Sequence, residues 1–417
     1  MSFEIALAGI STVSSSLDEI SNNIANAGTF GYKSSRANFE AVYADGKTNG
    51  AQVGSVTQSM DKVGGIVNTG KSMDAMIEGQ GFFAVRNSNG QVVYTRVGQF
   101  NTDKNGYVVD STGRKLQGYA AVLDKNGQTV PGAALGALGD LKVPAGQIGA
   151  QATTTLDYSG NLSADWTAPA TPTFDSTDPT SYNSSVTSVV FDSLGKQHTL
   201  TQYFVSAGVG NVNVYYSFDG AARKDVPGPA TPDASMAFNL NGQLTAVNTT
   251  PPPATPTLIT TFNAAPAGAQ PLSVAINYTN TTSFSGDTTT LANTANGYTA
   301  GVLTGTAIGE DGAVTATYSN GLKQTVGTVA LATFADEEAL TPLSGTSWAV
   351  NNATGPALFS QPGAGAAPKL ATGSLEQSNV DVTAELVNLM TSQQVYQANA
   401  KVISTQSQMM QSLMQAV

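Results

Sequence analysis

The chain has 417 residues, a net charge of -11, only 11% charged residues, one histidine and no cysteine. Its length has room for roughly two to four domains. The missing cysteine excludes disulfides and thiolate metal sites, a lone imidazole excludes a histidine ligand pair, and the acidic balance leaves no basic stripe to displace counterions from nucleic acid.

The first stretch, MSFEIALAGISTVSSSLDEI, lacks a basic leader and a continuous apolar segment, so no cleaved secretory signal is expected. No apolar run reaches the roughly eighteen residues of a membrane-spanning helix. Phe3, Leu7, Ile10, Ser14, Leu17, Ser21 and Ile24 step by alternating fours and threes. That spacing predicts a helix with a coiled-coil seam.

Next comes GIVNTGKS at 65–72, which fits the phosphate-loop pattern through Gly65, Gly70, Lys71 and Ser72. An apolar run ending at Asp192 could serve as the magnesium-holding partner of such a loop. The pattern needs a buried strand before it and a helix of several turns after it. Upstream, GSVTQSMDKVG is polar and interrupted; downstream, KSMDAMIE offers about two helical turns before GQG stops it. A glycine-bounded turn in an extended segment is therefore expected, with no nucleotide or other cofactor.

From there the chain reads as antiparallel β-structure. Asn-Gly pairs at 49, 89, 105, 126, 241, 296 and 320 are hairpin signals. Runs such as GFFAV, QVVYTRV, GYVVD, TSVVF and NVYYSF surround them. Asp103 and Asn105 hint at a calcium loop, but Gly106 stands at its fourth position where glycine is needed at the sixth, so no metal site is expected. Three Pro/Thr-rich stretches, at 167–180, 226–233 and 249–257, mark loops of a separate middle domain. His198, in KQHTLTQYFV, reads as a structural strand residue, and no serine nucleophile motif accompanies it. An enzyme is not expected.

Helical spacing returns at Val382, Leu386, Leu389, Gln393, Tyr396, Ala400, Ile403, Ser407, Met410 and Met414, predicting a helix from near Asp381 to the end. A second apolar set, Val387, Met390, Val395, Val402, Met409 and Leu413, runs beside the first. Off-seam positions are mostly uncharged. Two readings remain open: an antiparallel pair within one chain, or helices buried among several subunits. Under the second, both ends are expected to be disordered in the free chain and helical after assembly.

The expected fold class is mixed: a terminal helical coiled coil plus nested, mainly antiparallel β-domains of barrel or sandwich type. The expected divisions are 1–30 with 375–417 for the helical core and 31–70 with 360–374 for an extended connection. An inner β-domain takes 71–145 with 285–359, and an inserted outer β-domain takes 146–284.

DEISNNIANAGTFGYKSSRANF, at 18–39, resembles the N-terminal signature of bacterial flagellar axial proteins, through Asn22, Asn23, Ile24, Ala25, Asn26, Thr29, Gly31, Tyr32 and Lys33. The C-terminus is similar to the family's closing helix at Ser378, Asn379, Val380, Asp381, Glu385, Leu386 and Tyr396 to Ala400. IEGQGFFAV and YTRVGQFNTDKNGYVVDSTGRKLQGY resemble its shared β-domain, and DPTSYNSSVTSVVFDSLGKQHTLTQYFV resembles the insert of its hook branch. Residues 220–300 match weakly.

The resemblance implies a subunit that self-assembles into a curved hollow tube linking motor rod to filament as a universal joint. It implies contacts with hook cap, distal rod and hook-filament junction proteins, and passage of the unfolded chain through the flagellar export apparatus to the cell exterior. On this reading the assembly residues are Phe3, Leu7, Ile10, Leu17, Asn22, Asn23, Ile24, Asn26, Gly31, Tyr32, Lys33, Leu386, Leu389, Tyr396, Ala400, Ile403 and Met410. A distal rod-like protein and a secreted β-rich adhesin are the alternatives. An adhesin would not need sparsely charged heptad helices at both ends.

Overall fold

A computed structural model describes residues 2–44, 47–122, 136–144, 146–223, 231–249, 258–365 and 367–415. The Asn-Gly pair at 126 and most of the Pro-rich stretches 226–233 and 249–257 lie outside the described residues. The chain divides into two compact units, one of 1–145, 304–317 and 323–417, the other of 146–303 and 318–322.

In the first unit, helix α1 spans Ser2–Ala25 and helix α2 spans Val382–Gln415. Asp381 caps α2, its carboxylate accepting the backbone N–H groups of Thr383 and Ala384 at 2.9 and 3.1 Å, which satisfies donors that a helix start otherwise leaves open. The helices run antiparallel: Asn23 meets Glu385, while a Cβ on Gly9 would lie 2.8 Å from Asn399 Nδ2. Both ends are thus helical in the single chain, where the sequence led us to expect disorder before assembly. Each supplies the other with one packing partner, which marginal isolated helices lack.

Strands β1 (Ser35–Ala44) and β2 (Lys47–Gln58) form a long hairpin paired from Ser35↔Gln58 to Ala44↔Lys47, with register shifts between Asn38 and Phe39 and between Ala41 and Tyr43. Gly50 sits inside β2 at φ +102°, and a Cβ there would meet Ala8 of α1 at 3.0 Å. The Asn49-Gly50 pair therefore lets a strand lie close against α1 rather than making the turn expected of it.

Strand β3 (Ile66–Asn68) pairs with Ser374–Glu376, and β4 (Ala75–Glu78) pairs with Lys369–Thr372. The two arms of the chain are stitched together through GIVNTGKS itself: the amides of Thr69 and Gly70 both bond the Gly373 carbonyl, at 2.8 and 3.1 Å. The two helical turns anticipated for KSMDAMIE do not form. AMIE is a strand whose first three side chains are buried, and pairing with the returning chain overrides local helix preference. A strand follows the loop in place of a helix, and the Thr69 and Gly70 amides are spent on the returning chain, unlike the strand–loop–helix geometry the phosphate-loop pattern requires.

Beyond β4 the first unit forms an open sheet in the order Lys323–Val329, Lys115–Ala120, Phe82–Arg86, Val92–Thr95, Ser347–Ala349, Thr341–Leu343. Phe82, Ala84, Tyr94, Phe334, Leu340 and Trp348 pack over it with Met60. Asn89-Gly90 and Asn105-Gly106 turn hairpins with both glycines at positive φ. Asp103 Oδ1 accepts the N–H groups of Asn105 and Tyr107 at 2.8 Å each, so the carboxylate serves its own turn.

The second unit holds two open sheets. One is an antiparallel ladder of Ser184–Phe191, Gln197–Ser206, Asn211–Phe218, Ala234–Phe238 and Leu244–Thr249. The other runs Ile259–Ala264, Leu272–Asn277, Thr155–Asn161, Thr289–Ala295, with one parallel pair. Leu156, Tyr158, Val190, Leu200, Phe204, Val214, Val274 and Ile276 join them in one core, a sandwich arrangement. No sheet closes into a barrel among the described residues.

Thr289–Ala295 pairs with Thr155–Asn161 from Leu156↔Ala295 to Asn161↔Thr289, so the insert does not stop at 284 as the sequence suggested. TTLANTA has no apolar alternation to announce a strand. Asn241-Gly242 turns a hairpin, whereas Asn296 spends its carbonyl on the N–H groups of Thr154 and Thr155 at 2.9 and 3.0 Å.

Candidate subunit-assembly site

The helical pair is largely exposed: four described residues of α1 are buried and none of α2. On α1 the buried residues are Ala6, Thr12, Ile20 and Asn23. Phe3 and Leu7, from the predicted seam, are 46% and 52% exposed, and Ile10, Leu17 and Ile24 are half-buried. Gly9 marks the close approach to α2, a Cβ there lying 2.8 Å from Asn399 Nδ2, while the larger apolar side chains of the predicted seam remain partly or largely exposed.

Along α2 no described residue is buried. Leu389, Ala400 and Ile403 are half-buried, while Leu386, Tyr396 and Met410 are exposed. The second apolar set, from Val387 and Met390 through Val402 to Met409 and Leu413, is exposed throughout. From Ser407 onward every described residue is exposed. Leucine, methionine and tyrosine in such density on a solvated helix form a contiguous apolar surface of the kind that marks an association site. One partner helix covers one face, and the rest stays open.

Where the helices join the β-structure, the NNIAN…GYK motif forms a clasp. Asn23 Nδ2 donates to the Ser35 carbonyl and to Glu385 Oε1, both at 2.8 Å. Its Oδ1 accepts the Ser35 N–H at 2.8 Å and the Tyr32 hydroxyl at 3.2 Å. The Asn22 carbonyl accepts the N–H of Asn26 at 3.1 Å and its side-chain amide at 3.0 Å. Asn26 Oδ1 in turn accepts the Thr29 hydroxyl at 3.1 Å. Gly31 follows at φ +67°, where a Cβ would press on Arg96 and Val97 backbone at 3.0 Å. Only glycine suits both the left-handed backbone and the space.

Lys33 lies beneath this turn with its side chain wholly buried, 2.8 Å from Glu376 Oε1 and 2.7 Å from the Lys62 carbonyl. Glu376 Oε2 stands 3.0 Å from Arg96 Nε, and Arg96 donates at 2.7 Å to both the Gly79 and Gly81 carbonyls. Gly64 N–H adds a bond to Glu376 Oε1 at 3.0 Å. Asn379 completes the join: its Oδ1 accepts the Ser34 N–H at 2.7 Å and its Nδ2 donates to the Ser59 and Lys62 carbonyls.

Burial, then the Arg96 charge, pushes the Lys33 ammonium downward against the pull of Glu376. Burial likewise lowers Arg96 and pushes the nearby Glu337 carboxyl up, while Arg96 and Lys33 draw Glu337 back down. Such a cluster is held by mutual pairing: removing any one charge strands the others. Its chemistry is mechanical. Residues 33, 96 and 376 come from three remote segments, and their pairing fixes the helix roots to the sheet.

Sequence reasoning identified Asn23, Gly31, Tyr32 and Lys33 but not their partners Arg96 and Glu376. One signal was available: in a chain with so few charges, Arg96 is embedded in the apolar run QVVYTRV.

Three family models match the chain: the flagellar hook protein FlgE/F/G D1 domain over 76–164, the flagellar basal body protein FlaE D2 domain over 161–298 and the flagellar basal body rod FlgEFG protein C-terminal region over 371–416. The flagellar hook protein FlgE of Salmonella typhimurium is 36% identical over 99% of this chain and 99% of its own length. That of Escherichia coli is 35% identical with the same coverage. The crystal structure of Helicobacter pylori flagellar hook protein FlgE2 superposes with a TM-score of 0.52 at 12% identity, covering 75% of this chain and all of that one, a likeness of fold. With full-length identity of this order and domain models matched over 76–298 and 371–416, the chain belongs to the flagellar hook protein FlgE family.

Proposed function

We propose that this chain, a structural subunit of the flagellar hook, polymerises through its terminal helices. The observation that carries the reading is α2, which lacks a single buried residue yet is lined by leucine, methionine, valine and tyrosine. Phe3, Leu7, Ile10, Leu17 and Ile24 on α1, with Leu386, Leu389, Tyr396, Ala400, Ile403 and Met410 on α2, form the contact surface with neighbouring copies. Asn22, Asn23, Asn26, Gly31, Tyr32 and Lys33 hold that surface to the β-structure, so torque passes from helix to sheet through the clasp.

In this reading the helical ends form the core of the tube, the first unit's β-structure surrounds it, and the second unit is the outer insert. The polymer is a curved, hollow universal joint outside the cell, assembled from chains that travel unfolded through the flagellar export apparatus. Hook cap, distal rod and hook-filament junction proteins are its neighbours. A cysteine-free chain suits that route, because refolding needs no redox step.

Electron microscopy of the purified chain during concentration tests the reading, with tubes expected. Hydrogen exchange is the companion measurement: amides beyond Ser407 should exchange fast in dilute protein and become protected in the polymer. Protection of those amides already in the monomer, with no tubes at any concentration, would refute the assignment of α2 as an assembly surface.

A further inference from the structure

His198, the chain's only histidine, sits buried in the second unit between two carboxylates. Its Nδ1 is 2.6 Å from Asp219 Oδ2 and its Nε2 is 3.3 Å from Asp192 Oδ2. Asp192 belongs to the turn after Ser184–Phe191, and Asp219 to the turn after Asn211–Phe218. Each carboxylate spends its other oxygen on backbone. Asp192 Oδ1 accepts the N–H groups of Leu194 and Lys196 at 2.9 Å each, and Asp219 Oδ1 accepts that of Thr199 at 3.0 Å. The remaining oxygen of each is aimed at the ring.

An ionised carboxylate accepts and cannot donate, whereas a neutral imidazole donates from one nitrogen only. Two acceptors at opposite ring nitrogens therefore call for a proton on each. We propose that His198 is held as the doubly protonated imidazolium, a proton-dependent clip joining the turns at 192–196 and 219–220 of the second unit. When alkali removes one ring proton to water, a nitrogen lone pair faces a carboxylate oxygen and that side of the clip opens.

Two further observations fit. Asp219 adopts φ +51°, one of three non-glycine residues at positive φ among the described residues, so its side-chain bonds hold a backbone conformation that is otherwise disfavoured. Burial pushes both carboxyls up. For Asp192 the Lys196 and Leu194 N–H groups and His198 outweigh it; for Asp219, His198, the Thr199 N–H and the Lys196 charge do so. Both carboxyls end below the ordinary carboxylate range, as acceptors. The charged groups facing the ring are Asp192, Asp219 and, through Asp219, Lys196. The Phe218 ring stacks on the imidazole with centroids 4.9 Å apart.

A single histidine makes the test direct. In the full-length chain labelled with 15N-histidine, both ring nitrogens should resonate as protonated at neutral pH. In Asp219→Asn, one should shift to the unprotonated range. On raising the pH, the melting midpoint of the unsubstituted second unit should fall in step with the ring's own titration, and in Asp219→Asn it should stay flat over that interval. An unprotonated ring nitrogen in the unsubstituted chain at neutral pH would overturn the proposal. So would a melting midpoint that does not move as the ring titrates, a result that needs no variant.

Discussion

The second unit and the helical ends solve the problem of burial in opposite ways. Between its two sheets the second unit encloses Leu156, Tyr158, Phe204, Val274 and Ile276 with almost no exposure, whereas α2 keeps Leu386, Leu413 and its methionines in solvent. Both segments carry ample apolar surface. What differs is whether the chain brings enough of itself to cover it. A sheet with one apolar face needs one other sheet, but a helix with two apolar stripes needs more than one neighbour, and this chain provides one. The contrast separates a module whose core is complete in the single chain from one whose apolar surface stays open, which the proposed assembly would cover with other copies.

The contrast is broken most sharply at Ile403. If the proposed assembly surface is right, a carboxylate there, in Ile403→Asp, would be buried unpaired at each subunit contact. Loss of polymerisation is expected while the β-structure keeps its circular dichroism and melting transition; tubes of normal length would count against the assembly surface.

Next in size is the clasp. Glu376→Gln leaves Lys33 and Arg96 buried without their counter-charge, and breaking a buried pair costs about 3–5 kcal/mol. Chemical denaturation should show the first unit destabilised on that scale, with the second unit's transition unmoved.

Deleting residues 146–303 should have a milder effect. The first unit should fold and still form tubes, now with altered curvature or stiffness under the electron microscope or in an optical trap. Failure to polymerise with the remainder folded would make the insert part of the basic lattice.

A smaller, reversible effect is expected in acid. Asp192 and Asp219 have depressed folded values, so their contribution to stability is present above the unfolded carboxylate value of about 4. It is lost as pH falls through the depressed values. Thermal melts of the second unit should weaken over that range, and less so in Asp219→Asn. The smallest effect is Lys71→Ala: assembly and stability should be unchanged, and neither form should bind a labelled nucleotide.

Much of this organisation was legible in the chain itself. Heptad spacing placed α2 and its Asp381 start, because a helix repeats its environment every three to four residues and needs a capping acceptor before its first turn. Asn-Gly at 89, 105, 241 and 320 located hairpins, since glycine takes up the positive φ there. These are local requirements, written within a few residues. Which stripe of α1 faces α2 was not local. The large apolar residues defined the obvious seam, yet Gly9 makes the close approach, because helix packing selects for distance between backbones as much as for hydrophobicity. Nor could spacing show that Asn49-Gly50 lies within a strand, that AMIE is extended, or that TTLANTA joins the insert. Each is decided by a pairing partner far away in the chain. The same holds for Lys33, Arg96 and Glu376, whose charges are tolerable in a dry interior only as a set. That set exists only once the fold has gathered them.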